Sequence, residues 1–469
     1  MSNGAWSLVL VLVAACTKPN PLSCLDGTCD DPRYPFCDVN GDIAGEPNTC
    51  IEGQCEPNAI AGCQGDDLVT CNANGTNFET AECEFGCQGT DAQASCNLCE
   101  PNTATCDGDS ISYCGADGRV ASMENCAGKC VADPEARCTH IVPRYLPNVC
   151  DSRASSDLEI ENTASFDTNL DANCNGGIIL QAGGPNICVV RHTKIVLAAS
   201  AELRVVGNRA LALVADEELV VDGYLNVSAG DQINGPGGGT MYSFRDGVGG
   251  AGDGLGGAGF AVNGGDGGTA TADGGAVNGG LATADPATFT VLVGGPQAGN
   301  GSSTLVVGGG GGAATLVACR GRIAVHGEIN AGGGGGLPTL FFTGGGGAGG
   351  YVVLQGFAIE VDGKLFANGG GGAGGKSLNG LGVRGSDGSR GLSPATGGYV
   401  VDGGPGGDGG TGTALPKNGK KRNAGGGIAG GGGGSVGFFQ TYTPVGVDPV
   451  ITPSMASPTP RPNANIPTD

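Results

Sequence analysis

Between Gly230 and Gly437 lie 75 of the chain's 96 glycines, and a stretch so poor in side chains cannot build a core by itself. It is interrupted, at intervals, by segments of the opposite character. LVVDGYLNV (Leu219 to Val227), IAVHGEINA (Ile323 to Ala331) and IEVDGKLFA (Ile359 to Ala367) align without gaps. Each is preceded by an apolar run: ALALVA (Ala210 to Ala215), ATLVAC (Ala314 to Cys319) and YVVLQG (Tyr351 to Gly356). IVLAASAELRVVGNRA (Ile195 to Ala210) is similar material without glycine runs. Alternation with period two predicts strands with one buried face. The Asp-Gly or His-Gly step reads as a bend in which glycine takes a positive φ. Strand, bend, strand and excursion, repeated, describe coils of a parallel β-solenoid in which each coil satisfies its neighbour's backbone. The spacing is uneven: 104 residues separate Gly223 from Gly327 and 36 separate Gly327 from Gly363, so long insertions leave the coil.

At the level of this pattern the region from Ile178 to Tyr442 resembles the pectate-lyase-like right-handed β-helices. Long structureless loops are uncommon in compact domains. The glycine runs are therefore expected to pack beside the coil as extended threefold strands, backbone against backbone. Apolar residues among them, Phe289 to Val293 and Leu305 to Val307, favour order.

The chain opens MSNGAWSLVLVLVAAC. The apolar run Leu8 to Val13, followed by Val13-Ala14-Ala15-Cys16, resembles the lipobox of bacterial lipoproteins. That resemblance implies cleavage before Cys16, attachment of a diacylglyceryl group to it and, with Thr17 next, sorting to the outer membrane. Two or more acyl chains anchor stably where one does not. No Lys or Arg precedes the run, which leaves the Met1 amine as its positive end, and the run is too short to span a bilayer.

With Cys16 set aside, 20 of the 21 cysteines remain, the even number an oxidising compartment requires. Cys55, Cys63, Cys71, Cys83, Cys87 and Cys96 are separated by 7, 7, 11, 3 and 8 residues. Cys99, Cys106, Cys114, Cys126, Cys130 and Cys138 are separated by 6, 7, 11, 3 and 7, a duplication also visible in CEPNAIAGCQGDDLVTCNANG against CEPNTATCDGDSISYCGADG. Each copy reads as a hairpin (Leu68 to Thr70 or Ile111 to Tyr113) turning at Asn74-Gly75 or Asp117-Gly118. Units of this size cannot bury a sufficient core, so three disulfides per copy replace it, in one of 15 connectivities. Zinc is the competing use of Cys83-x3-Cys87 and Cys126-x3-Cys130. Export, the even count and the presence of only His140, His192 and His326 argue against it. Cys24, Cys29, Cys37 and Cys50 form a first module with two more bridges, and Cys150, Cys174, Cys188 and Cys319 supply two that staple the start of the solenoid. The modules from Cys24 to Cys138 look like the tandem cysteine-rich repeats of exported lipoproteins in large-genome Gram-negative bacteria.

The expected fold class is mainly β: disulfide-rich small hairpin modules followed by a parallel β-solenoid with long Gly-rich insertions. Its divisions are a signal peptide (1–15), an anchored linker (16–23), a first module (24–54), two repeats (55–98 and 99–138), the stapled start of the solenoid (139–229), the Gly-rich solenoid (230–442) and a disordered, proline-bearing tail (443–469).

A net charge of −23 repels phosphate backbones, so a nucleic-acid partner is excluded. Two calcium patterns fail: Asp38 to Asp42 is followed by Ile43 where the loop needs glycine, and Gly403 to Asp408 is followed by Gly410 where the roll needs an apolar plug. No metal or cofactor is expected. For catalysis on acidic polysaccharide the candidates are Asp216-Glu217-Glu218, Arg320, Arg322 and His326. Neighbours on a strand point to opposite faces, however, so Glu217 and Glu218 make no pair by themselves. His326 takes the bend position of Asp222 and Asp362. The only tryptophan, Trp6, lies in the signal, which leaves tyrosines such as Tyr224, Tyr242, Tyr351 and Tyr399 for sugar stacking. The run Pro416 to Arg422 reads as a solvated loop. The sequence thus points to an exported, lipid-anchored cell-surface protein with a structural or adhesive role and no evident catalytic site. Its expected partners are a membrane, through the anchor, and extracellular polysaccharide or surface proteins. The competing class is a β-helix enzyme or binder acting on extracellular acidic polysaccharide.

Overall fold

A computed structural model describes residues 23–469 apart from 25–27, 40, 42–44, 53–54, 74, 134, 231–232, 240–252, 270–276, 284, 299–306, 377–379 and 423–426. The lipobox and Cys16 lie outside the described residues. The chain divides into two units, Met1–Asn125 with Ala132–Ala136, and Cys126–Val131 with Arg137–Asp469.

The second unit is a stack of parallel coils. The parallel strands of the coils are β1 (Leu158–Ile160), β2 (Ala164–Asp167), β3 (Ile187–Leu197), β4 (Glu202–Val206), β5 (Ala210–Val221), β6 (Tyr224–Asn226), β7 (Ala313–Val325), β8 (Glu328–Asn330), β9 (Tyr351–Val361), β10 (Lys364–Phe366), β11 (Phe438–Thr443), β12 (Val450–Ile451), β13 (Met455–Ser457) and β14 (Ala464–Asn465), and the short strand Ile178–Ile179 pairs antiparallel with β3. One sheet runs β1-β3-β5-β7-β9-β11-β14, with β12 also on β9; the other runs β2-β4-β6-β8-β10-β13. The three aligned segments stack in register, Leu219 on Ile323 on Ile359 and Leu225 on Ile329 on Leu365. All six are buried in one continuous core with Leu213, Val221 and Val325.

The apolar runs ahead of these segments lack alternation for a physical reason: they are buried on both faces, as strands covered on either side must be. Inward residues Leu211, Leu213, Leu316 and Leu354 fill the coil. Outward residues Val189, Val214, Val317, Val353 and Tyr442 pack under Ile141, Leu146, Phe260, Leu292 and Ile466. The strap that includes Ile141 and Leu146 is pinned by the Cys150–Cys319 disulfide and by Arg144, whose N–H donates to the buried Gln355 Oε1 at 2.7 Å.

The glycine runs form a second, different solid. Amides of one thread point in three directions in turn, as three residues per turn requires. Gly344, Gly347 and Gly350 donate to the carbonyls of Leu337, Gly334 and Ala331 at 2.8, 2.9 and 2.7 Å. Gly346 and Gly349 donate to Gly432 and Ser435, both at 2.9 Å. In the next thread Gly369, Gly372 and Gly375 reach Gly410, Gly407 and Gly404, Gly370 and Ala373 reach Gly347 and Gly344, and Gly371 and Gly374 reach Ser386 and Val383. No described glycine from 253 to 437 has a positive φ. The need is for close approach: a Cβ on Gly434 would lie 2.0 Å from the Gly347 carbonyl oxygen, and one on Gly347 would lie 1.9 Å from that of Gly309. Among the described residues the expectation of ordered, threefold glycine strands thus agrees with the structure, and Leu292 and Val307 are buried; Leu305 and Val306 lie outside the described residues.

Three expectations are corrected. The tail 443–469 is not disordered: β12 pairs β9, β13 pairs β10 and β14 pairs β11, and Ile466 is buried, so these residues complete the last coil. The coils end at Asn465, beyond the expected limit at Tyr442, and begin at Leu158, inside the 139–229 division expected to start the solenoid but ahead of Ile178, where the β-helix resemblance begins. The Asp-Gly and His-Gly bends do not use positive φ. Gly327 and Gly363 instead let successive corners nest, a Cβ there meeting the carbonyl oxygens of Gly223 at 2.0 Å and Gly327 at 2.1 Å.

In the first unit the repeats are three-stranded antiparallel sheets, Ile60–Gln64, Asp67–Cys71 and Phe78–Glu82, then Ala104–Asp107, Ser110–Cys114 and Val120–Asn125. The hairpin expected in each copy is present, with an added strand joined through Gly65 or Gly108, both with positive φ. Repeat one is bridged Cys55–Cys71, Cys63–Cys87 and Cys83–Cys96. Repeat two repeats this order in Cys99–Cys114 and Cys126–Cys138, and its Cys106 and Cys130 are also disulfide-bonded. Cys24–Cys37, Cys29–Cys50 and Cys174–Cys188 complete the set beside Cys150–Cys319. All 20 cysteines from Cys24 to Cys319 are thus disulfide-bonded, the state of an oxidising environment.

Candidate functional site

The residues singled out for chemistry gather at the corner where each long strand bends. Ladder pairing slips between His192 and Lys194, between Ala215 and Glu218 and between Ala318 and Arg322. The extra residues bulge there, which turns the strand from one face of the coil to the next. Asp216 and Glu217 in β5 and Arg320 in β7 lie in these bulges. Gly321 faces the Glu217 carbonyl with no room for a Cβ, at 1.5 Å.

Asp216 is 1 % exposed and could not remain charged without partners. Its carboxylate accepts from Arg191 Nη2 at 2.5 Å, from Arg320 Nη1 at 3.4 Å and from the Ala154 N–H. Arg320 Nη2 also donates to the Cys150 carbonyl at 2.7 Å, and Arg191 donates to that of Ser152. The cluster ties three coils and the strap 150–154 together. It presents no open face to a substrate.

The other candidates pair in the same way. Glu217 meets Lys194 at 3.5 Å, Glu218 accepts from Arg322 Nε at 2.6 Å, and His326 Nδ1 lies 2.8 Å from Asp362 Oδ1. The Asp362 carboxylate hydrogen-bonded to His326, with the fields of Asp222 and Glu360, raises the imidazole above its ordinary value. Sequence alone brings none of these acids and bases to its partner. The signal is nonetheless present: Glu218 to Arg322 is 104 residues and His326 to Asp362 is 36, the two spacings of the coil motif itself. Arg191, Lys194 and Asp362 are the members that sequence reasoning misses.

The sugar-stacking candidates separate sharply. Tyr351 is buried, its hydroxyl 3.3 Å from that of Tyr145, and burial pushes both phenols up. Tyr224 is covered by Arg390, whose guanidinium sits 4.1 Å from the ring centroid and is paired with Glu328, and burial raises this phenol too. Tyr242 lies outside the described residues. Of the three that are described, Tyr399 alone offers an exposed ring. A concavity of about 620 Å³ on the second unit is lined by Phe357, Val445, Ile466 and Pro467 and by no carboxylate. In the first module the sulfurs of Cys24, Cys29 and Cys50 lie within 4.8 Å of one another, a ligand-like cluster, yet each belongs to a disulfide and offers no thiolate.

Compared with protein-family models, with curated proteins and with solved structures, the chain matches none.

Proposed function

We propose that the chain is an exported, lipid-anchored cell-surface protein with a structural, adhesive role and no chemistry of its own. The observation that carries this reading is the fate of its acids and bases. Asp216, Glu217, Glu218, Arg320, Arg322 and His326 are each spent on an ion pair between stacked coils or between a coil and its strap. A general acid or base needs a partner in the substrate, within hydrogen-bond reach. These groups already have theirs within the protein.

The disulfides support residence in an oxidising compartment. Among the described residues no helix is long and apolar enough to cross a membrane, and the proposed attachment is the acyl-bearing Cys16. Two assays test the reading. Metabolic labelling with an alkyne fatty acid should mark the chain and be lost in Cys16→Ser. Incubation with a panel of acidic polysaccharides should yield no new reducing ends or unsaturated products. Labelling that survives the substitution overturns the anchor, and product formation overturns the structural role in favour of a polysaccharide-cleaving enzyme.

A further inference from the structure

The glycine threads leave the coils after Asn330 and Phe366 and return at Tyr351 and Phe438, so the bundle has a coil end and a far end. Turns at the coil end are identified by their contacts. Asn368 Nδ2 donates to the carbonyls of Ser389 and Gly391 at 2.8 Å each, and Gly412 N donates to Ser457 Oγ at 2.9 Å. The turns at 337–343, 381–383, 399–403 and 420–422 lie at the opposite end.

These far turns belong to neighbouring threads. The Lys376 carbonyl accepts from Ile428 N at 3.1 Å and the Lys420 carbonyl from Gly430 N at 2.9 Å. Lys420 N reaches the Pro405 carbonyl, Gly375 N that of Gly404 and Gly374 N that of Val383. The Thr343 hydroxyl donates to the Ala429 carbonyl. One layer of the bundle therefore carries all of these turns.

Two features coincide on that layer. Its turns expose large apolar side chains, Phe341 at 69 %, Tyr399 at 61 % and Val401 at 72 %, with Leu340 and Leu381 beside them. It also carries Lys376, Lys420, Lys421 and Arg422, none of which forms an ion pair with a described residue. Elsewhere in the same insertion the cations are neutralised, Arg384 by Asp387, Arg390 by Glu328 and Lys417 by Asp408. From 367 to 437 seven Lys and Arg stand against three Asp, in a chain whose net charge is −23.

We propose that this far end docks on an anionic phospholipid bilayer, with Leu340, Phe341, Tyr399 and Val401 entering the headgroup layer and the four cations facing its charge. Aliphatic tips have no hydrogen bonds to offer a sugar, whereas apolar and aromatic groups ringed by Lys and Arg match a charged interface. The rest of so acidic a chain is repelled by an anionic surface, which leaves this end to make the approach. The inference does not depend on acylation at Cys16.

The test uses the full chain carrying Cys16→Ser, sedimented with phosphatidylcholine vesicles that contain or lack phosphatidylserine. Retention should require phosphatidylserine and weaken with salt. Each cation near such a surface strengthens binding about fivefold. The variant K376E/K420E/K421E/R422E should therefore bind about six-hundredfold more weakly or worse, with an unchanged melting temperature. Phe341→Trp, in a Trp6→Phe background, should shift its emission to the blue on phosphatidylserine vesicles. Equal retention on both vesicle types, or unchanged affinity in the charge-reversed variant, overturns the proposal. Self-association lost in that variant without vesicle binding also overturns it, by making a second copy the occupant. Retention on an acidic polysaccharide resin without vesicle binding overturns it in favour of a sugar ligand.

Discussion

The coils and the glycine bundle lie side by side in one unit and are held together on opposite principles. In the coils, side chains do the work: Leu219, Ile323 and Ile359 stack in a dry interior, and burial of each contributes roughly 1.5–3 kcal/mol. In the bundle, cohesion comes from amides donating in three directions and from carbonyl oxygens seated where a side chain would begin. Such a lattice buries backbone without loss because nearly every peptide finds a partner, and close Cα–H contacts add to it. A core of side chains can relax around a change in volume. A lattice of backbones has nothing that can give.

The largest effect should therefore follow the smallest-looking change. Gly434→Val places its Cβ 2.0 Å from the Gly347 carbonyl, and backbone on both threads must move. A loss of about 4 kcal/mol or more, or failure to fold, is expected in denaturant titration. Leu219→Ala, deep in the coils at 0 % exposure, should cost about 3 kcal/mol in the same titration. Ile323→Val should cost only about 1 kcal/mol. If Gly434→Val proved milder than Ile323→Val, the contrast between the regions would be lost.

A third substitution sharpens the comparison by reversing its sign. At Gly391 an added methyl group would have no atom within 4 Å, and the residue has no positive φ. Gly391→Ala should be neutral or stabilise by about 0.5 kcal/mol, through the unfolded chain. Two glycines a few dozen residues apart would then differ by several kcal/mol for a purely steric reason.

The smallest effect belongs to the edge between coils. The pKa of His326 is raised in the folded state by Asp362, so this pair stabilises the fold fully below the ordinary imidazole value and less as pH rises through the raised one. Both side chains are about half exposed, which limits the contribution to at most about 1 kcal/mol. The stability difference between wild type and Asp362→Asn, measured from about pH 5 to about pH 9 to bracket the ordinary imidazole value, should shrink as the pH increases.

Much of this was legible in the sequence. The three aligned segments, the duplicated cysteine spacing and the apolar runs each follow from period or count, and each forms the element expected. What escapes has physical causes. A glycine needed for close approach and a glycine needed for positive φ look identical in sequence, so reading Gly327 as a bend finds the right residue for the wrong reason. The tail reads as disordered because its proline content outweighs three short pairings, Val450–Ile451, Met455–Ser457 and Ala464–Asn465, each too brief to show a period. The first coil escapes in the same way, since Leu158–Ile160 offers three residues. The corner acids and bases are recognisable as chemistry but not as pairs, because their partners lie on other coils.

Amide hydrogen exchange across Gly344–Gly350 decides most directly whether the glycine threads are a solid. Gly344, Gly346, Gly347, Ala348, Gly349 and Gly350 each donate to a neighbouring thread and should be protected about as strongly as the adjoining strand Tyr351–Val361. Exchange at the rate of an unfolded peptide through this run, with the strand still protected, would contradict the lattice and leave the glycines as loops.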